Sequence, residues 1–139
     1  MVNAVANSVV PKITLFCGNS YGAGNYAMCG KAYGARFLFA WPSAAIAVMG
    51  GEQASRTLLA IQLKNRGEGM EEKEKEKQAL LERIQQRYKD TLDPRYAAAR
   101  LWVDDIIDPV DTRDVIARSL ACAAHNPEIP EFKTGVLQT

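Results

Sequence analysis

The sequence predicts an α/β fold, and three observations carry that prediction. Short runs rich in β-branched, aromatic and small apolar residues, "KITLFCG", "RFLFAWP" and "AAIAVMGG", are too brief for helices and are bounded by glycine or proline. Between and after them lie longer segments whose apolar residues recur at helical spacing. The two kinds alternate along the chain, the pattern of strands crossed by helices. No internal repeat and no linker is visible, so the 139 residues read as one unit.

The elements follow in order. "MVNAVANSVVPK" places Val2, Val5, Ala6 and Val9 at helical spacing and ends at Pro11, as the tail of a helix would. "KITLFCG" is nearly all apolar, as in a strand buried on both faces. "NYAMCGKAY" reads as a short helix, and "RFLFAWP" and "AAIAVMGG" as two strands parted by Pro42 and closed by Gly50 and Gly51. Trp41 and Pro42 read as core. "EQASRTLLAIQLKN" sets Ala54, Leu58, Leu59 and Ile61 on one side of an amphipathic helix.

From Glu71 to Lys77 every residue is charged, with Glu71 four positions before Lys75 as a favourable pair. Leu80, Leu81, Ile84 and Tyr88 then form an apolar stripe, so this helix is expected to be solvated in its first half and docked by its second. A charged helix that binds a partner is the other reading. "DPRYAAARLW" offers Asp93 as N-cap and Pro94 at the first helical position. "VDDIIDP" is a short strand or turn. In "DTRDVIARSLACAAHN" Asp111 caps a final helix with Val115, Ile116, Leu120 and Ala124 facing inward.

Charge is unevenly spread. The first 51 residues contain no Asp or Glu and three cations, Lys12, Lys31 and Arg36; the other 14 of 17 basic and all 16 acidic side chains follow. An acid-free half suits an anionic ligand, or is simply the more buried half. Cys17, Cys29 and Cys122 have no CxxC spacing, which points to reduced thiols. The single histidine, His125, reads as a solvated helix-end residue, and no metal site is expected. "FLFAWPSAAIAVMGG" carries Pro42 and is too short to span a bilayer, and no signal peptide opens the chain, so a soluble protein is expected.

The stretch "ITLFCGNSYGAGNYAMCG" crowds Gly18, Gly22 and Gly24 behind a strand, and three readings compete for it. "GAGNYA" fits a dinucleotide-binding fingerprint, but the first acid after Gly22 is Glu52, thirty residues on, where a ribose-binding carboxylate belongs about twenty residues on. Glycines also permit a tight strand-to-helix turn, which explains one or two of them. The third reading is an oxyanion hole: small residues leave backbone N–H groups at a helix start unshielded, and these stabilise a developing oxygen anion without a charged side chain.

At this point the residues resemble a known family. "GNSYGAGNYAMCGKAYGARFLFAWPSAAIAVMGGEQAS" is similar to the carboxyltransferase (β) subunit of biotin-dependent acyl-CoA carboxylases, in the 3-methylcrotonyl-CoA and geranyl-CoA carboxylase branch. That branch carries a G-x-S-F/Y-G-A-G-N-Y-x-M-C-G run and a W-P-x-A-x-I-x-V-M-G-G-E-Q block, and "YAAARLWVDDIIDPVDTRDVI" matches its closing segment. Two positions depart from its pattern: Val103 stands in a usual W-D-D-G, and Asn19 replaces the second glycine of a usual G-G-S.

The resemblance implies a crotonase-like fold of repeated ββα turns, with residues 1–139 as the C-terminal portion of a carboxyltransferase domain whose N-terminal half is absent. It implies CO2 transfer from carboxybiotin, carried on a partner subunit, to an acyl-CoA such as 3-methylcrotonyl-CoA, with one oxyanion hole for each of two anions. The biotin-side hole maps onto the backbone amides of Ala23 and Gly24, with Gly22, Asn25 and Tyr26 as the binding residues around it. Implied partners are a biotin carboxylase and biotin carrier subunit and further carboxyltransferase subunits, with no nucleic acid and no membrane, in bacterial cytoplasm or mitochondrial matrix. Such a chain alone is expected to lack turnover, and either to self-associate or to depend on the missing part for stability. The alternative is a binding or assembly module derived from that domain and catalytically incomplete.

Overall fold

The computed structural model describes residues 1–66 and 73–132. After a short helix α1 (Val2–Asn7), a unit of two strands and a helix occurs twice. The first is β1 (Ile13–Phe16), β2 (Asn19–Tyr21) and α2 (Gly22–Ala27); the second is β3 (Phe37–Ala40), β4 (Ala45–Ala47) and α3 (Gly51–Arg66). Each strand of the second unit lies parallel to its counterpart in the first. β1 runs beside β3 from Ile13 opposite Phe37 to Phe16 opposite Ala40. β2 runs beside β4 from Asn19 opposite Ala45 to Tyr21 opposite Ala47. A third turn begins with β5 (Asp105–Ile106), parallel to β3, giving the order β1-β3-β5 in one sheet and β2-β4 in the other. The repeat is one of backbone path without sequence self-similarity, which is why the sequence shows none.

The core gathers where the turns stack: Phe16, Leu38, Ala40, Ala44 and Val103 form one buried cluster. Ala40 and Ala44 are buried as fully as its large residues, so the cluster is filled by small and large side chains together. Val103, one of the two positions that depart from the branch pattern, is 2% exposed and belongs to this cluster. The expectation that β1 is buried on both faces is corrected. Only Phe16 of its four residues is buried, because β1 is the outer strand of its sheet; the doubly buried strand is β3, through Leu38, Phe39 and Ala40. Next to it, Asp104 extends the ladder with its side chain: Leu38 N–H donates to Asp104 Oδ2 at 2.8 Å, and Asp104 N–H donates to Leu38 C=O at 2.7 Å.

α3 and α4 (Lys73–Leu92) pack against each other. The start of α3 meets the end of α4, where a Cβ on Gly51 would touch Leu92 and Tyr88 at 3.5 Å. Leu81, Ile84 and Tyr88 are partly buried and the Tyr88 hydroxyl donates to Met49 C=O at 2.9 Å, so the second half of α4 docks as expected. In α3, Ala54 and Ser55 are buried while Ile61 is exposed, against expectation. The Glu71–Lys75 pair and the side chains of Leu58, Leu59 and Leu80 lie outside the described residues.

Asp93 caps α5 (Pro94–Ala98), accepting from Arg95 N–H at 2.8 Å, with Pro94 at the first helical position. The Arg95 guanidinium also holds the carboxylate, at 2.8 Å. The Arg95 side-chain bond first, and its N–H second, push the Asp93 carboxyl below its ordinary 3.8. A depressed carboxyl stabilises the fold above its unfolded-state value and loses that contribution as pH falls through the folded one. Arg95 is exposed, so most of the effect resides in the cap rather than the charge pair. Asp93→Ala is therefore expected to cost about 1 kcal/mol at neutral pH and to lose its effect in acid, measured by thermal unfolding across that range.

The final helix α6 (Thr112–Ala124) corrects two expectations. Asp111 makes no side-chain cap bond; capping happens one 3₁₀ turn earlier, where Asp108 Oδ1 accepts from Val110 N–H at 3.0 Å. The inward face runs through Val115, Ile116, Ser119 and Ala123, whereas Leu120 and Ala124 face outward. A serine can sit in that face because Val115 C=O accepts its hydroxyl at 2.8 Å. Trp41 is half-buried rather than core: its Nε1 donates to Thr112 Oγ1 at 3.0 Å and ties β3 to the start of α6, while Pro42 is exposed. His125 is exposed at the α6 C-cap, and all three cysteines are free, with only Cys29 buried.

Candidate functional site

The glycine stretch contains a strand that sequence reading missed. β2 delivers the chain to Gly22, where the backbone turns through φ +50° into α2. Here a Cβ would sit 2.8 Å from the carbonyl oxygen of Val48, so β4's outgoing backbone closes on the turn and only glycine fits. Tyr21 is the N-cap and supplies no side-chain hydrogen bond, and the first turn holds no acid. The N–H groups of Ala23 and Gly24 thus lie in a first turn, where helical geometry provides no internal partner. Both residues are exposed, and a Cβ on Gly24 would meet nothing within 4 Å.

The far end of this six-residue helix is locked. Gly30 N–H donates to Asn25 C=O at 2.8 Å and Cys29 N–H to Tyr26 C=O at 3.1 Å, with Cys29 in the left-handed region at φ +65°. Thr14 Oγ1 on β1 holds the Cys29 carbonyl at 2.8 Å. The side-chain oxygen of Asn25 fills the space that a Cβ at Gly30 would need, and its Nδ2 donates to Ser20 Oγ at 3.0 Å.

Beside the turn lies a cavity of about 530 Å³. Gly22, Asn25 and Tyr26 line it; Ala23 and Gly24 lie on the exposed turn and are not part of its wall. Sequence reading did not anticipate the rest of the lining, which brings Val48, Tyr88, Tyr96 and Trp102 together from well-separated segments. Trp102 meets Tyr96 edge-on at 6.0 Å, and the Arg100 guanidinium covers the other partner, 3.4 Å from the Tyr96 ring centre. Lys31 is the one charged side chain of the lining among the described residues. The volume and apolar character suit a small organic ligand. The described residues contain no cluster of three or more His, Cys, Asp or Glu side chains able to hold a metal.

Comparison with known proteins gives the family. The carboxyl transferase domain profile matches residues 1–137. The chain belongs to the carboxyl transferase domain family. It is 49% identical over 132 residues to the biotin-dependent 3-methylcrotonyl-coenzyme A carboxylase beta1 subunit of Mycobacterium tuberculosis, covering 91% of this chain and 24% of that protein. It superposes on the geranyl-CoA carboxylase beta subunit of P. aeruginosa with a TM-score of 0.77 at 39% identity, over 97% of this chain and 25% of that one. It superposes on the transcarboxylase 12S hexamer subunit, solved with methylmalonyl-coenzyme A bound, with a TM-score of 0.78 at 34% identity, over 98% and 25%. The carboxyl transferase chain therefore spans about a quarter of the length of the relatives it matches, and its α/β architecture is the crotonase-like one. No helix among the described residues is long and apolar enough to cross a membrane.

Proposed function

We propose that this carboxyl transferase chain serves the biotin side of carboxyl transfer to an acyl-CoA of the 3-methylcrotonyl type, with the backbone N–H groups of Ala23 and Gly24 as an oxyanion hole. The observation that carries this reading is the uncapped, acid-free first turn of α2, exposed on both of those residues. Biotin, bound in its carboxylated form on a carrier partner, supplies the CO2. Ala23 and Gly24 hold the oxygen that gains negative charge, and the positive end of α2 adds to their effect. Because the donors belong to the backbone, they need no reorganisation as charge develops, and a donor of this kind elsewhere is worth about 10²–10³ in rate. Gly22 shapes the turn, and Asn25 and Tyr26 form the wall beside it.

The transcarboxylase hexamer and its bound methylmalonyl-coenzyme A support an acyl-CoA substrate and further carboxyltransferase subunits as partners.

Titration of the chain with free biotin, followed by amide chemical shifts, tests the site. Shifts centred on Ala23 and Gly24 are expected. Gly24→Val, which adds a branched side chain in open space, is expected to abolish them while the spectrum stays dispersed. Silence of both amides in a well-dispersed wild-type spectrum overturns the assignment.

A further inference from the structure

Asn25 is the fourth residue of α2, and its two ends do different things. Its carbonyl accepts from Gly30 N–H, while its side-chain Nδ2 donates to Ser20 Oγ at 3.0 Å. Ser20 belongs to β2 and is held opposite Ile46 of β4. It lies one residue before the Tyr21 cap, so the Asn25–Ser20 bond spans the junction at which the chain turns from strand to helix. The pivot of that junction is Gly22, at φ +50°.

We infer that Asn25 is a positioning residue as well as part of the cavity wall: by clasping Ser20 it sets the direction of the α2 first-turn N–H groups. The inference rests on the functional reading of that turn given above. The physical need is plain. Gly22 and Gly24 bring no side chain to hold the turn, and glycine is the residue whose backbone is freest to move. Donors stabilise an anion only if they are already aimed at it. A tether of five residues, one end in a strand ladder and the other wedged by its Oδ1 into the space left by Gly30, supplies that aim. The same wedge explains why residue 30 is glycine although its backbone conformation, φ −65°, is open to any residue.

The test is a double-mutant cycle on the full chain with Asn25→Ala, Ser20→Ala and both together, with Ser20→Thr as the conservative control. In ligand-free protein both single variants are expected to displace the Ala23 and Gly24 amide shifts alike, and the double variant no further, while Ser20→Thr stays at wild type. With free biotin as probe, each Ala variant is expected to weaken binding about three- to tenfold, as the loss of one hydrogen bond allows, and Ser20→Thr to restore it. Additive displacements in the cycle, or unmoved Ala23 and Gly24 amides, overturn the clasp whatever biotin does. A ligand-free cycle that behaves as expected, in a wild type whose amides ignore biotin, upholds the clasp and sinks the biotin assignment instead. Wild-type biotin binding that neither Ala variant weakens overturns the positioning role.

Discussion

Gly30→Ala is expected to destabilise the chain by about 2–4 kcal/mol, the sum of an overpacking cost and a lost hydrogen bond. The added methyl falls where the Asn25 side-chain oxygen sits, and within 2.9 Å of the Asn25 backbone oxygen. The side chain cannot step aside cheaply, since its Nδ2 is held by Ser20. The backbone cannot either, since Asn25 C=O accepts from Gly30 N–H itself. The change is therefore expected to eject Asn25 from its place and loosen the α2 junction. Urea unfolding, with amide shifts across residues 20–30, reads both effects. Gly24→Ala is the control: its Cβ enters open space in a helical backbone and is expected to cost nothing, or to stabilise by up to about 1 kcal/mol. Equal stabilities for the two variants would show that the Asn25 wedge is not a constraint.

Leu38→Ala is expected to cost about 2–5 kcal/mol, the range for emptying a well-packed leucine site. Leu38 is 2% exposed, on the central strand of the three-stranded sheet and inside the cluster that joins Phe16 to Val103. Collapse around the cavity is opposed by the main chain: the Leu38 N–H and C=O are both fastened to Asp104, at 2.8 and 2.7 Å. For a domain of this size, whose whole stability is about 5–15 kcal/mol, such a loss is a large fraction. Leu15→Ala on the half-exposed outer strand should cost clearly less. A Leu38→Ala denaturation midpoint close to wild type would place the stabilising core elsewhere.

The glycine turn shows where legibility ends. Its existence and its small residues are visible in "GNSYGAGNYAMCG". Strand β2 is not, because "NSY" is three residues long, carries no β-branched side chain, and becomes a strand only by pairing with β4. The need for glycine at position 22 comes from the Val48 carbonyl, twenty-six residues away, and the need at position 30 from the Asn25 side chain. Neither partner leaves a local signal. The wrong faces assigned to Leu120 and Ile61 have a related cause: helical periodicity locates an apolar stripe, but small residues such as Ser119, Ala123 and Ala54 take the closest approach and turn larger neighbours outward.

By itself the sequence determined the α/β alternation, the Asp93–Pro94 helix start, the docking half of α4 and the family, because each is written in contiguous residues by propensity, capping chemistry or motif. Only the tertiary structure decided which strand is doubly buried, which backbone closes on Gly22, and which aromatic residues line the cavity beside the turn. Those depend on how one ββα turn stacks on the next. Stacking is set by the summed contacts of residues far apart in the chain, which no window of the sequence contains.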